Sequence, residues 1–104
     1  MAKEINKSEF EQNVLEGKGL SVVDFFATWC KPCQMLAPVI EEVSKKFENV
    51  SFYKIDIDKE NDLANKYYIM SVPTIMFFKD GTLVDQVIGY RSVEEMEELV
   101  AKFA

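Results

Sequence analysis

The chain has 104 residues, enough for one domain spanning residues 1–104 and too few for two. Its 48% hydrophobic content can supply a core, so a folding metal or a lattice of disulfides is unnecessary. With 18 acidic against 12 basic residues the net charge is -6, which speaks against a nucleic-acid groove and reads as solubility.

Ser8-Glu9-Phe10-Glu11 has capping-box spacing and predicts a first helix with Phe10, Val14 and Leu15 on its apolar face. Gly17 and Gly19 end that helix, and a short strand is expected ahead of it near residues 3–5. Residues 20–26, Leu-Ser-Val-Val-Asp-Phe-Phe, form a nearly continuous apolar, β-prone run of the kind buried on both faces. After Trp29-Cys30-Lys31-Pro32-Cys33 a helix is expected, with Met35, Val39, Val43 and Phe47 recurring every four residues beside Leu36 and Ile40. Pro38 lies inside it, where it removes the bond to the Gln34 carbonyl and predicts a kink. Residues 51–57 alternate as a strand does, and Asp58 is the expected cap of a short helix at about 59–66. Thr74 to Phe78 and Leu83 to Ile88 read as two more strands joined by the hairpin signal Lys79-Asp80-Gly81. Ser92-Val93-Glu94-Glu95 is a second capping box, opening a last helix whose apolar face is Val93, Met96, Leu99, Val100 and Phe103.

The strand–helix–strand unit from 20 to 57 predicts a right-handed parallel crossover, to which the hairpin adds antiparallel strands. The expectation is an α/β fold: a central mixed β-sheet flanked by helices on both faces. Reactive groups in such sheets collect at the carboxyl ends of the strands, and Cys30 and Cys33 stand at such an end.

These are the chain's two cysteines. A bridge across two intervening residues removes little chain entropy, so the pair reads as chemistry rather than scaffolding. Spaced three apart at a helix start, they face each other across one turn, close enough to form a disulfide. The helix N-terminus favours an anion at Cys30, Lys31 adds a positive charge, and Pro32 is tolerated in the first turn. Cys33, one turn inside, is expected to be more buried and to stay protonated until needed. In that reading Cys30 attacks a substrate disulfide and Cys33 resolves the mixed disulfide. The same spacing also arises by chance and in zinc sites. A structural zinc takes four Cys or His ligands, and with no histidine only a site shared between two copies completes the set.

Without histidine, proton transfer falls to a carboxylate, a thiol or water. Read alone, Asp24 in its apolar strand is an edge-strand acid facing solvent, Lys54 a solvated strand lysine, and Pro73 a strand-initiating proline. Met1 to Glu11 contains no secretory h-region, and no stretch approaches membrane-spanning length. The expected location is the cytoplasm, where a lone cysteine pair is more often catalytic or metal-binding than structural.

Val23-Asp24-Phe25, Trp29-Cys30-Lys31-Pro32-Cys33, Pro38, Lys54-Ile55-Asp56, Val72-Pro73-Thr74, Phe78-Lys79-Asp80-Gly81 and Gly89 together form a pattern far more specific than C-x-P-C alone. On these residues, from about Phe10 to the C-terminus, the chain resembles the thioredoxin family. The resemblance implies a thioredoxin fold and a general protein-disulfide reductant that carries electrons by dithiol–disulfide exchange, with no bound cofactor or metal. It implies Cys30 as nucleophile, with the lowered thiol pKa known for the family, and Cys33 as resolving thiol. It also implies that Asp24 lies beneath Cys33 as its proton acceptor, tuned by Lys54. Pro73 is then a cis proline that packs on the disulfide and exposes the Val72 backbone to an incoming peptide. Trp29, Lys31, Pro32, Ile88 and Gly89 complete the docking rim. The implied partners are a thioredoxin reductase, a flavoenzyme using NADPH, and disulfide-containing client proteins. The implied state is a monomer without nucleic-acid or membrane partners. A thiol oxidase or isomerase is the alternative on the same fold, although such relatives often carry histidine where Pro32 stands. A binding module that holds a partner through Trp29, Val72 and Gly89 is the alternative from another class.

Two positions depart from the family's usual pattern. Lys31 replaces the common glycine; it is expected to stabilise the Cys30 thiolate, make the disulfide more oxidising and favour acidic substrates. Phe26 stands where bacterial relatives often have a second tryptophan, so Trp29 is the only tryptophan and should report redox state by fluorescence.

Overall fold

The computed structural model describes residues 2–104; Met1, the first residue of the expected domain, lies outside the described residues. Five strands build one sheet: β1 (Lys3–Glu4), β2 (Leu20–Phe26), β3 (Ser51–Asp56), β4 (Thr74–Lys79) and β5 (Thr82–Ile88). Their spatial order is β1-β3-β2-β4-β5. β1 and β2 run parallel to β3, whereas β4 is antiparallel to β2 and to β5. The apolar run of β2 is explained by this order, because a strand with a neighbour on each side and cover on both faces has no solvent face. The mixed α/β sheet expected from the element pattern is therefore present.

Helices cover both faces. α1 (Lys7–Phe10) continues into a π-helical turn, Glu11–Leu15, and is followed by α2 (Lys31–Lys46), α3 (Asn61–Lys66) and α4 (Val93–Phe103). Strand alternation divides the core between them. Val22, Phe52, Ile75 and Phe77 pack with Leu36, Ile40 and Val43 of α2 and with Met96 and Val100 of α4. Val23, Phe25, Ile55, Met76 and Phe78 pack with Phe10 and Val14 on one side and Leu63 of α3 on the other. By the same alternation Asp24 and Lys54 lie on the face that α2 covers. The β4–β5 hairpin turns on Asp80 and Gly81, whose φ values of 49° and 83° are those of a two-residue turn matched to strand twist.

The local expectations differ from the structure in three places. The first helix opens at Lys7, capped by Asn6 rather than Ser8: Asn6 has the extended backbone of a cap and exchanges reciprocal bonds with Glu9, at 2.9 and 3.0 Å. Asp58 does not cap α3. That helix begins after Glu60 without a side-chain cap, and the Asp58 carboxylate is engaged by Trp29. Met35 is exposed although it shares a four-residue spacing with Val39 and Val43, because the buried stripe of α2 runs through Cys33, Leu36, Ile40 and Val43. α2 is an uninterrupted helix through Pro38, and the Ser92–Glu95 capping box of α4 forms as expected.

Candidate active site

β2 ends at Phe26, and the chain crosses Ala27 to Trp29 before α2 begins. Cys30 is the N-cap of α2, with extended backbone (φ -91°, ψ 114°), so its side chain faces the unpaired N–H groups of the first turn. Its Sγ accepts the Cys33 backbone N–H at 3.2 Å. This bond and the helix dipole favour negative charge on that sulfur. Pro32 occupies the first turn, where its missing N–H has no helical partner to lose. Cys30 and Cys33 form a disulfide with their Cα atoms 5.3 Å apart.

The two cysteines are almost equally covered, at 5% and 4% exposure, so greater burial of Cys33 is not what distinguishes them. The distinction lies in access. Cys30 lines an open cleft of about 440 Å³ together with Trp29, Lys31, Pro32 and Val72, and Cys33 does not. The opposite wall of that cleft is Ile57, Ile69 and Met70, residues that the sequence reading missed. Their signal is position: Ile57 follows the carboxyl end of β3, and Ile69 and Met70 immediately precede the Val72–Pro73 pair.

Trp29 is exposed, and its indole Nε1 donates to Asp58 Oδ2 at 2.9 Å, which fixes the ring at the mouth of the cleft. The Val72–Pro73 peptide bond is cis, and the Val72 carbonyl oxygen lies 3.6 Å from Cys30 Sγ. Gly89, at φ 94°, donates its N–H to the Pro73 carbonyl at 2.8 Å. Ile88 is exposed but lines a neighbouring groove rather than the cleft at Cys30.

Asp24 is no edge-strand acid. It sits mid-way along β2, between β3 and β4, with 6% exposure, and its Oδ1 finds no hydrogen-bond partner among the described residues. Burial pushes its carboxyl up to about 7, against the opposing pull of the Lys54 charge. Lys54 is in register with Asp24 across the β2–β3 pair, and its Nζ lies 5.5 Å from the centre of the Phe26 ring. Phe26 in turn packs against the cluster of Ala27, Cys30 and Cys33. A carboxyl that titrates near neutrality thus lies on the sheet face under the helix that carries Cys33.

The family model described as Thioredoxin matches residues 1–102. The chain belongs to the thioredoxin family. It is 42% identical to a thioredoxin of Listeria monocytogenes over 104 residues, covering 99% of both chains. A Staphylococcus aureus thioredoxin is 40% identical over 99 residues, covering 94% of this chain and 93% of that one. Thioredoxin-2 of Saccharomyces cerevisiae is 45% identical over 82 residues, 79% of each chain. Family membership and the bridged Cys30–Cys33 pair make the protein a dithiol–disulfide oxidoreductase of the thioredoxin family. Among the described residues no helix is long and apolar enough to cross a membrane, and no group of three or more His, Cys, Asp or Glu is arranged to hold a metal.

Proposed function

We propose that the protein works as a general protein-disulfide reductant, with Cys30 as nucleophile and Cys33 as resolving thiol. The observation that carries this division of labour is the cleft, which Cys30 lines and Cys33 does not. The reduced protein offers the Cys30 thiolate, stabilised by the first-turn N–H groups. It attacks one sulfur of a client disulfide, forming a mixed disulfide and releasing the other client sulfur as a thiolate that takes up a proton. Asp24 accepts the Cys33 proton, the Cys33 thiolate attacks Cys30 Sγ, and the bond from Cys30 to the client breaks. The departing client thiolate takes up a proton, so that the client leaves as a dithiol. Two electrons pass to the client and the Cys30–Cys33 disulfide is formed. Lys54 holds down the proton affinity of Asp24 so that the carboxyl exchanges protons near neutrality.

The client docks as an extended segment over Trp29, Lys31, Pro32 and Ile88, pairing with the backbone at Val72, whose position is supported by Pro73 and Gly89. No bound cofactor takes part. Electrons return from a thioredoxin reductase, and the partners are disulfide-containing proteins. The unit 1–104 acts as a single domain and a monomer in the cytoplasm, a reading supported by its net charge of -6 and by thiol chemistry suited to a reducing compartment. The test is reduction of the interchain disulfides of insulin by dithiothreitol. Catalysis by the wild type, lost in Cys30→Ser, is the expected result; partner binding that survives Cys30→Ser while no reduction occurs points to a binding module instead.

Lys31 stands exposed next to Cys30 and tunes it. Lys31→Gly is expected to raise the Cys30 thiol pKa and make the disulfide more reducing by roughly 5–20 mV, the size of a solvent-screened charge interaction. Absorbance titration of the thiolate and equilibration with glutathione measure both. Unchanged values would remove Lys31 from the account.

A further inference from the structure

The turn that ends α3 holds a tyrosine where glycine belongs. The Ile69 N–H bonds the Ala64 carbonyl at 3.0 Å and the Tyr68 N–H bonds the Asn65 carbonyl at 3.1 Å, the paired pattern of a Schellman turn. Tyr68 occupies its left-handed position at φ 55°, where a side chain crowds its own backbone. Burial does not offset that strain, since Tyr68 is 85% exposed, and Met70 just beyond it is 92% exposed. Two large apolar side chains are thus held out close together in the chain, and Tyr68 is a backbone outlier of the kind found at binding sites.

They border a second groove of about 350 Å³. Its floor is the face of β4 and β5 that α3 stops short of, formed by Met76, Leu83 and Ile88. Ile69 and Met70 line both this groove and the cleft at Cys30, so the two adjoin along that segment. The bond from Gly89 to Pro73 ties the Ile88 end of the groove to the Val72–Pro73 segment.

We propose that this groove is a second docking subsite for clients, taking apolar side chains of an extended segment whose cysteine sits over Cys30. The proposal rests on the reductant reading and adds to it a preference: clients with apolar residues near the reactive disulfide. A shared wall with the cleft at Cys30 favours a client over a second copy of this chain, because a permanent occupant there obstructs Cys30. Charge points the same way. Each copy carries -6, while Lys66 borders the groove and Lys31 the cleft, which suits an apolar client segment with acidic neighbours.

The test mixes reduced protein with either of two synthetic peptides, each closed by one internal disulfide and flanked on both sides by Leu-Phe or by Ser-Gly. Trp29 fluorescence follows the single turnover. The wild type is expected to react about tenfold faster with the Leu-Phe peptide, the scale of burying one apolar side chain. Tyr68→Gly combined with Leu83→Thr removes that preference and leaves the Ser-Gly rate unchanged. Tyr68→Gly alone removes part of it while the melting temperature stays level or rises, because glycine suits the turn; a merely structural tyrosine does not produce that combination. A preference that survives both variants overturns the groove and leaves the reductant reading standing. A wild type that reduces neither peptide overturns both. A wild-type dimer that the double variant dissolves, with both rates unchanged, assigns the groove to a second copy and also overturns the proposal.

Discussion

Cys33→Ser is expected to stop the reaction half-way, leaving the protein covalently joined to its client through Cys30. Without the resolving thiol the mixed disulfide has no internal exit, so turnover falls by at least about a hundredfold and the adduct accumulates in stoichiometric amount. Intact-mass spectrometry of the reaction should show one species at the summed mass of protein and reduced client chain less two hydrogens. Cys30→Ser should show none, because Cys33 does not line the cleft that admits the client. Adducts formed equally by both variants would mean that the two sulfurs are interchangeable. That would contradict the assignment of roles from access.

The second large effect concerns Asp24. Its carboxyl is raised by burial to about 7 from an ordinary 3.8. Well below pH 4 it is protonated in folded and unfolded chains alike and its charge costs nothing. As pH rises toward 7 the unfolded chain releases this proton while the folded one keeps it, so folding stability falls across that window. Above pH 7 the full cost of burying the charge is present, about 4 kcal/mol for a gap of this size. Asp24→Asn removes the charge but buries an amide that must find partners, which takes back about 1–2 kcal/mol. The oxidised variant should therefore be more stable than the wild type by about 2–3 kcal/mol at pH 8 and no more stable at pH 4. Urea unfolding at the two pH values measures this. A gain of equal size at both would show that the charge is not its source. The same variant should slow resolution at pH 7 by about tenfold, since the Cys33 thiol then ionises without a nearby base.

The framework of the fold is legible wherever local pattern and tertiary role agree. Leu20 to Phe26 can be read as a buried strand because five of its seven residues are apolar, β-branched or aromatic, and such a run admits few other structures. Ser92 and Glu95 mark a helix start because their reciprocal bonds are local. The same signature misleads at Ser8, where Asn6 offers a competing cap two residues earlier, and at Asp58, whose carboxylate is claimed by Trp29 from 29 positions away. Long-range claims of this kind leave no trace in local spacing.

The site divides along the same line. Cys30, Lys31, Pro32 and Cys33 announce themselves by adjacency at a helix start. Asp24 does not, because an acid in an apolar strand looks the same at a sheet edge and at its centre. Only the pairing of β2 with both β3 and β4 makes it buried. Ile57, Ile69 and Met70 read as ordinary apolar residues until the folded chain lines the cleft with them. Tyr68 is invisible as an outlier until its φ is known.

The most direct test of the account is the reduction potential of the Cys30–Cys33 pair. The protein is equilibrated in graded thiol–disulfide buffers, followed by Trp29 fluorescence and checked by alkylation of free thiols. The account predicts a value below the cytosolic glutathione poise, roughly -220 to -260 mV by extraction methods. A value well above it would contradict a reductant and make the protein an oxidant or isomerase.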